Sequence, residues 1–384
     1  MDSPVRFGMV GGGEGAFIGA VHQRAARLDR ECELVCGAFA SDPDRSRLSG
    51  RALGLDPARC YPDYTTMMRE EAARPADTRM QFVAIVTPNH LHLPVALEAL
   101  RHGFHVLSDK PATVSLAECL RLRDEVHATG LLYALTHPYA AYPLVREASA
   151  RVAAGELGEI RRVVVEYAQG WLATPLEHAG HKQAGWRVDP TKAGPSGCFG
   201  DIGVHAFNLA ERVTGLKVAA LCCQLHRTVQ GRTLDDDGAA LLRFDNNAHG
   251  VLLASQISVG EENDLVLRVY GEKGGLEWRQ EEPCTLWLKY HDRPTERLRA
   301  GNAYIGRAAA AGVRLPAGHP EGYIEAFANL YREFAAAVRA WAPGRASTHE
   351  LPGIADALRG MAFIEAAIAA SDSAQKWHPL PDPQ

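Results

Sequence analysis

The sequence predicts an α/β protein of two domains: an amino-terminal doubly wound parallel sheet, then an α+β domain on a large, mostly antiparallel open sheet. Three observations carry this. Apolar strand-like runs alternate with helical stretches over residues 5 to 137. Long strand-like runs then follow one another from Val218 to His291 with little helix between them. The 384 residues also exceed one ordinary core. The expected domains are 1–138 and 139–384.

Composition narrows the class. With 46% apolar and 23% charged residues, the chain reads as a soluble globular protein. A net charge of -5 gives no electrostatic case for nucleic-acid or membrane binding. The eight cysteines form no C-x-x-C pair, which points to reduced thiols in the cytoplasm and no metal site. Met1-Asp2-Ser3-Pro4-Val5 lacks a basic segment with an apolar one behind it, so no secretory signal is expected. No apolar run reaches the roughly 20 residues of a membrane-spanning helix.

Val5 to Val10 reads as a buried strand running into Gly11-Gly12-Gly13-Glu14-Gly15-Ala16-Phe17-Ile18-Gly19, with a helical stretch through Leu28. Strand, glycine-rich turn and helix in that order give a dinucleotide fingerprint its context. Gly11 allows the tight turn and Gly13 lets the backbone approach a pyrophosphate. Either Ala16 or, in a longer turn, Gly19 lets helix and strand pack closely. Backbone N–H groups around Gly15, Ala16, Phe17 and Ile18 are expected on the phosphates.

Glu33 to Ala40 reads as the second strand. The acidic residue that takes ribose hydroxyls at such a strand end is missing, and Ala40 and Ser41 stand in its place. Asp42, before Pro43 and a helical run, reads as an N-cap. Ser41 is the candidate for a ribose hydroxyl and Arg45 for a 2′-phosphate. No basic residue directly follows the strand, so NAD is expected, with NADP left open.

Residues 60 to 74 read as a helical connection, and Gln81 to Val86 as a central strand. That strand ends in Thr87-Pro88-Asn89-His90-Leu91-His92 before a helix to Arg101. Thr87, Pro88, Asn89 and His92 are therefore candidate cofactor contacts, with turn and cap roles the ordinary alternative. The strand His105 to Leu107 ends in Ser108-Asp109-Lys110-Pro111. Carboxyl ends of parallel strands are where ligands bind, which makes Asp109 and Lys110 candidates. Helix Leu116 to Ala128 and strand Leu131 to Leu135 follow, the strand ending in Thr136-His137-Pro138-Tyr139. His137 joins the cofactor candidates and Tyr139 the substrate candidates.

Beyond residue 138 the pattern changes. Helix Leu144 to Ala154, Gly155-Glu156-Leu157-Gly158 and a long strand Ile160 to Tyr167 lead into a loop from Gln169 to Cys198, rich in polar and aromatic residues. Helix Asp201 to Val213 and the successive strands come next. Residues 292 to 320 read as an irregular surface excursion, and helices Gly322 to Trp341 and Leu351 to Ala370 close the chain.

Asp201 and His205 are four apart, a spacing that puts both on one helix face. A histidine beside a carboxylate serves as a general base near neutral pH. The ordinary alternative is an N-cap and a packed helical histidine. Oxidising a secondary alcohol with NAD needs the carbon against the nicotinamide, a base for the hydroxyl proton, and a group that stabilises the developing alkoxide. His205, Lys110 and Asp201 are the residue types that serve these needs.

Together the glycine turn with His22 after it, Thr87-Pro88-Asn89, Asp109-Lys110-Pro111, Gly155-Glu156-Leu157-Gly158 and Gly200-Asp201-Ile202-Gly203-Val204-His205 make the chain resemble the Gfo/Idh/MocA family. That family is named for glucose–fructose oxidoreductase, inositol dehydrogenase and a rhizopine-catabolism protein. The resemblance implies an NAD(P)-binding Rossmann domain and sugars or cyclitols bound over the open carboxyl-terminal sheet. It implies that Lys110 contacts nicotinamide ribose and substrate, and that Asp201 and His205 are catalytic, with His205 the base. Asp109 stands where the family has glutamate. The resemblance also implies a homodimer or homotetramer built through the sheet. On the substrate side, Trp171, His181, Lys182, Trp186 and Arg187 are the expected contacts, since aromatics pack on sugar faces and cations hold hydroxyls or a carboxylate. Alternatives are a non-catalytic dinucleotide-binding regulator, or an oxidoreductase that keeps and recycles its cofactor.

Overall fold

The computed structural model describes residues 3–344 and 351–383; Met1 and Asp2, part of the stretch read for a secretory signal, lie outside the described residues. The chain opens with β1 (Val5–Gly11), α1 (Phe17–Leu28), β2 (Cys32–Ala38), α2 (Pro43–Ala52), α3 (Tyr64–Ala72), β3 (Phe82–Val86), α4 (His92–Arg101), β4 (His105–Ser108), α5 (Leu116–Thr129) and β5 (Tyr133–Leu135). There follow α6 (Pro143–Ala153), β6 (Ile160–Ala168), α7 (Lys182–Arg187), α8 (Pro190–Ala193), α9 (Val204–Thr214), β7 (Val218–His226), β8 (Asp237–Phe244) and β9 (His249–Ser255). The last part holds β10 (Asp264–Gly271), β11 (Gly274–Arg279), β12 (Thr285–Tyr290), β13 (Glu296–Arg299), α10 (Arg307–Ala310), α11 (Tyr323–Ala340), α12 (Ile354–Ser371) and β14 (His378–Pro379).

The chain groups into two compact units: Met1–Thr136 with Tyr323–Leu358, and His137–Gly322 with Arg359–Gln384. The first holds a five-stranded parallel sheet in the order β2-β1-β3-β4-β5. Its strands read as near-continuous apolar runs because both faces are covered; every residue of β3 is buried. From β1 the chain winds one way to β2 and then returns to place β3 on the other side of β1. That reversal makes the carboxyl ends of β1 and β3 the topological switch point, where such sheets bind ligands.

The expected continuous second domain of 139–384 needs a correction. Helix α11 belongs to the first unit, where Phe327, Tyr331 and Phe334 share a core with Val21 and Ala25 of α1 and with Phe7 and Phe82. Phe7 stacks on Phe82 at 5.1 Å, and Phe334 meets Phe82 edge-on at 5.1 Å. The apolar faces of α1 and of the sheet need this cover, and a helix from late in the chain supplies it.

The second unit carries a nine-stranded sheet in the order β13-β12-β11-β10-β6-β9-β8-β7-β14. β6 and β9 run parallel and the other pairs antiparallel. β8 alternates buried and exposed residues from Gly238 to Phe244, the pattern of a sheet with one open face. The stretch expected to be irregular contains β13, paired to β12 through Leu286 and Leu298, and the short α10. On the covered side α9 is buried over nearly its whole length, and Phe363 of α12 stacks on Phe207 at 4.4 Å. Among the described residues no helix is long and apolar enough to cross a membrane.

His105 of β4 is buried, with its Nδ1 accepting the Leu132 N–H at 3.1 Å and its ring edge-on to Trp341. Burial pushes its pKa down to about 4. Between that value and the ordinary imidazole value the unfolded chain binds the extra proton, so this contribution is intact above about pH 6.5 and is lost as pH falls. The loss amounts to about 2 kcal/mol by pH 5. Urea unfolding of the wild type should therefore weaken more between pH 7 and pH 5 than that of His105→Gln; parallel pH dependences would contradict the assignment.

Candidate active site

At the switch point the backbone crowds. Gly11 adopts φ +83°, and a Cβ there would lie 2.6 Å from the Val86 carbonyl oxygen at the end of β3. A Cβ on Gly19 would lie 2.3 Å from the Gly12 Cα, so Gly19, and not Ala16, lets α1 close on the turn. Ala16 instead holds the N-cap position of α1 with no side-chain cap. The first amides of α1, at Phe17 and Ile18, thus have the arrangement that receives an anion. Gly13 differs from its expected role. A Cβ there would meet the Phe39 carbonyl oxygen at 2.7 Å and Ser49 Oγ at 2.9 Å, so its smallness serves packing against the end of β2 and against α2. Gly15, at φ +76°, has open space around it.

Ser41 is exposed beyond β2, and Asp42 accepts the Arg45 N–H at 2.8 Å as the N-cap of α2. After β3, the buried Thr87 Oγ1 has no partner among the described residues, Pro88 is half-buried and Asn89 is buried. An uncapped helix start, an unpartnered hydroxyl and close-packed glycines at one switch point fit a dinucleotide.

Two expected contacts face elsewhere. His92 is 1% exposed, with Nδ1 2.6 Å from the Pro111 carbonyl oxygen and Nε2 2.9 Å from that of Thr87. It ties the turn after β3 to the turn after β4, and burial holds its pKa below the ordinary range against the pull of the two carbonyls. Asp109 accepts a hydrogen bond from Thr136 Oγ1 and lies 3.5 Å from His22 Nε2. His22 Nδ1 is in turn 2.8 Å from the Tyr331 hydroxyl on α11. Burial alone would raise the Asp109 pKa, but His22 and Thr136 outweigh it and hold the carboxyl below its usual range. Lys110 follows directly on this anchored residue and is half-buried. Tyr331 carries no sequence signal, since its partner is 309 residues away.

In the second unit, Asp201 stands in a turn of π-helix, Phe199–Gly203, that runs into α9. The buried Asp235 fixes the start of that turn, accepting the amides of Gly197 and Phe199 at 2.8 Å and Ser196 Oγ at 2.9 Å; burial raises its pKa. Asp201 Oδ2 accepts from Arg187 Nε at 3.0 Å and Gln256 Nε2 at 2.9 Å. The Arg187 guanidinium lies over the Trp186 ring at 4.3 Å and 5.9 Å from the Trp171 ring. Trp171 donates to Gln169 Oε1 at 3.0 Å. His181 caps α7 through Nδ1 with its ring 5.9 Å from Trp171, and Lys182 is exposed.

His205 lies one helical turn after Asp201, and its Nδ1 is 3.2 Å from Nδ1 of His137. The Tyr139 ring packs edge-on against His205 at 4.9 Å. The Tyr139 hydroxyl bonds that of Tyr167, which donates to Asn263 Oδ1 at 2.8 Å; Gln169 donates to the same oxygen at 2.6 Å. Gln256, Asn263, Gln169 and Tyr167 were not foreseen, because polar strand residues read from sequence as an ordinary open face. Among the described residues no group of three or more His, Cys, Asp or Glu is placed to hold a metal ion.

Comparison with known proteins agrees with both halves. Residues 5–137 match the model of the oxidoreductase family with an NAD-binding Rossmann fold, and residues 145–277 match that of the GFO/IDH/MocA C-terminal domain. An inositol dehydrogenase homolog from Azotobacter vinelandii, solved with NAD+, superimposes with a TM-score of 0.92 at 36% identity, over 99% of this chain and 98% of that one. The same homolog solved with NADH and myo-inositol gives 0.90 at 35% identity, again over 99% and 98%. An uncharacterized oxidoreductase, YfiI, from Bacillus subtilis is 31% identical over 98% of this chain and 97% of its own. With its glycine turn, its strand-end lysine, the aspartate of its π turn and the histidine of the helix that follows, the chain belongs to the Gfo/Idh/MocA family of NAD-binding oxidoreductases.

Proposed function

We propose that the protein is an NAD-dependent dehydrogenase acting on a secondary hydroxyl of a polyhydroxylated ring, a cyclitol or a sugar. The observation that carries this is the second unit's cluster of a histidine pair, an aspartate held by Arg187 and Gln256, and the indole faces of Trp171 and Trp186. Indoles offer apolar faces to ring C–H groups, while the carboxylate and guanidinium answer hydroxyls. The 35% identity to a homolog solved with NADH and myo-inositol supports the same class.

Bound NAD supplies the hydride acceptor for the alcohol carbon. His205 takes the hydroxyl proton as the C–O bond gains double-bond character, and Lys110 stabilises the oxygen as charge builds on it. Asp201 holds a neighbouring hydroxyl and fixes the ring's orientation, a task suited to a carboxylate already held by two donors. In the reverse direction the same groups return the proton to a ketone.

We also propose a second copy of this chain as the partner, through the open face of the nine-stranded sheet. Cys222, Leu241, Val251 and Val164 stand side by side across β7, β8, β9 and β6, and Leu253 lies two residues along from Val251 on the same face. Leu241 and Leu253 are 47% and 37% exposed. Beyond this apolar row the face turns ionic, with Arg268 and Lys289 both on Glu277, which limits the register of two copies.

Two experiments test these readings. A panel of inositols and sugars with NAD, followed by absorbance of the reduced cofactor, should find turnover. Lys110→Ala should lower it on the order of 10²–10³-fold with NADH affinity nearly intact. NADH binding without turnover across the panel returns the protein to the regulator reading, and nucleotide retained through purification favours a recycled cofactor. The molecular mass in solution should drop to that of one chain when Leu241 and Leu253 are both replaced by Lys; a wild-type monomer removes the sheet interface.

A further inference from the structure

His205 and His137 place two like atoms, both Nδ1, 3.2 Å apart inside the protein. Two imidazole nitrogens at that distance share one proton: one is N–H, the other a bare lone pair. Both rings are buried, His137 at 2% and His205 at 8% exposure, so neither Nδ1 has bulk water as an alternative. The rings meet at 89°, and Tyr139 closes a further edge of His205 at the same kind of angle, so rotation of the His205 ring is opposed on two sides.

The position of that proton decides what His205 can do. If His205 Nδ1 carries it, Nε2 has a lone pair and is a base. If His137 Nδ1 carries it, His205 is the Nε2–H tautomer and cannot accept a proton from an alcohol. We propose that His137 is a positioning residue for His205: its Nδ1 accepts the His205 Nδ1–H and so selects the tautomer whose Nε2 is basic. The sequence had suggested a cofactor contact for His137 and a partner role for Asp201. Asp201 Oδ2 instead carries Arg187 and Gln256, and the group facing His205 Nδ1 is the second imidazole. A proton passing from the alcohol hydroxyl to His205 Nε2 makes its Nδ1–H a stronger donor, and His137 then accepts a charge-assisted bond, the pair carrying one more proton than before and His137 itself gaining none. Groups near the pair within this unit include the Tyr139 phenol, whose ring packs on His205 and whose hydroxyl bonds that of Tyr167, and, one turn back along the chain, Asp201 held by Arg187.

The inference rests on the dehydrogenase reading for its rate effect, though not for its tautomer. The test uses the full-length protein with ¹⁵N-labelled histidine and two variants. His137→Asn puts an amide oxygen near the lost Nδ1, and His137→Leu removes any acceptor. His205 should show the Nδ1–H tautomer in the wild type and in His137→Asn, and the Nε2–H form in His137→Leu. With an active substrate, His137→Leu should lower kcat on the order of 10²-fold and displace the acidic limb of the pH–rate profile, His137→Asn should recover most of the loss, and NADH affinity should stay within about two-fold in both. Absence of turnover in the wild type would defeat the proposed activity alone, and the ¹⁵N spectra would still decide the tautomer. An Nε2–H His205 in the wild type, the same tautomer in all three proteins, or loss of NADH affinity with an unchanged pH profile would overturn the proposal.

Discussion

A carboxylate drawn out of water has to be met by donors, and in the first unit that requirement falls on Asp109. Its backbone N–H goes to the Ile85 carbonyl of the neighbouring strand, and its side chain to Thr136 and towards His22. His22 is held in turn by the Tyr331 hydroxyl. One residue thus joins the ends of three strands to α1, and through His22 to α11. A longer carboxylate would have to fold back to make the same bonds. The aspartate in this family position is matched to the histidine beneath it. This gives α11 a second reason to return to the parallel sheet: it covers the apolar face of α1, and it supplies the phenol that holds the His22 ring through Nδ1.

His92 does comparable work between two turns that are not adjacent in sequence. Its ring nitrogens reach the carbonyls of Thr87 and Pro111, so the turns after β3 and β4 are both packed on one buried ring. The residues that remain for a ligand at this edge follow from that. Thr87 gives its carbonyl to His92 and keeps its hydroxyl buried without a partner, and Lys110 sits between the anchored Asp109 and the tied Pro111. Precise placement of a few polar groups by neighbours that never touch the ligand is what positional catalysis requires.

How much of this was legible in the sequence follows the range of the interactions. The parallel sheet, the glycine turn and β6 and β8 to β12 of the second sheet are periodic or local patterns legible within a residue or two of their observed limits, whereas the short edge strands β13 and β14 are not. The N-cap role of Asp42 was also legible, because a cap bonds an amide three residues away. The placement of α11 was not, since an amphipathic helix does not record which apolar face it covers. The turns of His92 and Asp109 were recognised as polar, but polarity at a strand end does not say whether a side chain points out to a ligand or back to a carbonyl. Gly13 failed for a similar reason: glycine marks a close approach without naming what approaches, and here it is Phe39 and Ser49.

The helix that bears Asp201 and His205 shows how one local distortion separates two tasks. On a regular helix the four-residue spacing would set the two side chains on one face as a simple acid–base pair. The π turn at Phe199–Gly203, fixed by Asp235, changes the helix just where the aspartate sits. Asp201 is bonded to Arg187, the last residue of α7, and to Gln256, the residue after β9. His205, on the regular α-helix beyond, meets His137 and Tyr139. Asp201 is thereby bound into the tryptophan-bearing segment, as the proposed recognition role asks, and His205, the proposed base, is left to a second imidazole. A histidine paired with a carboxylate is held towards its charged form, whereas one paired with a second imidazole keeps a lone pair and a proton in balance. For the proposed reaction, which removes a proton in one direction and returns it in the other, such a pairing leaves both states of the proposed base within reach.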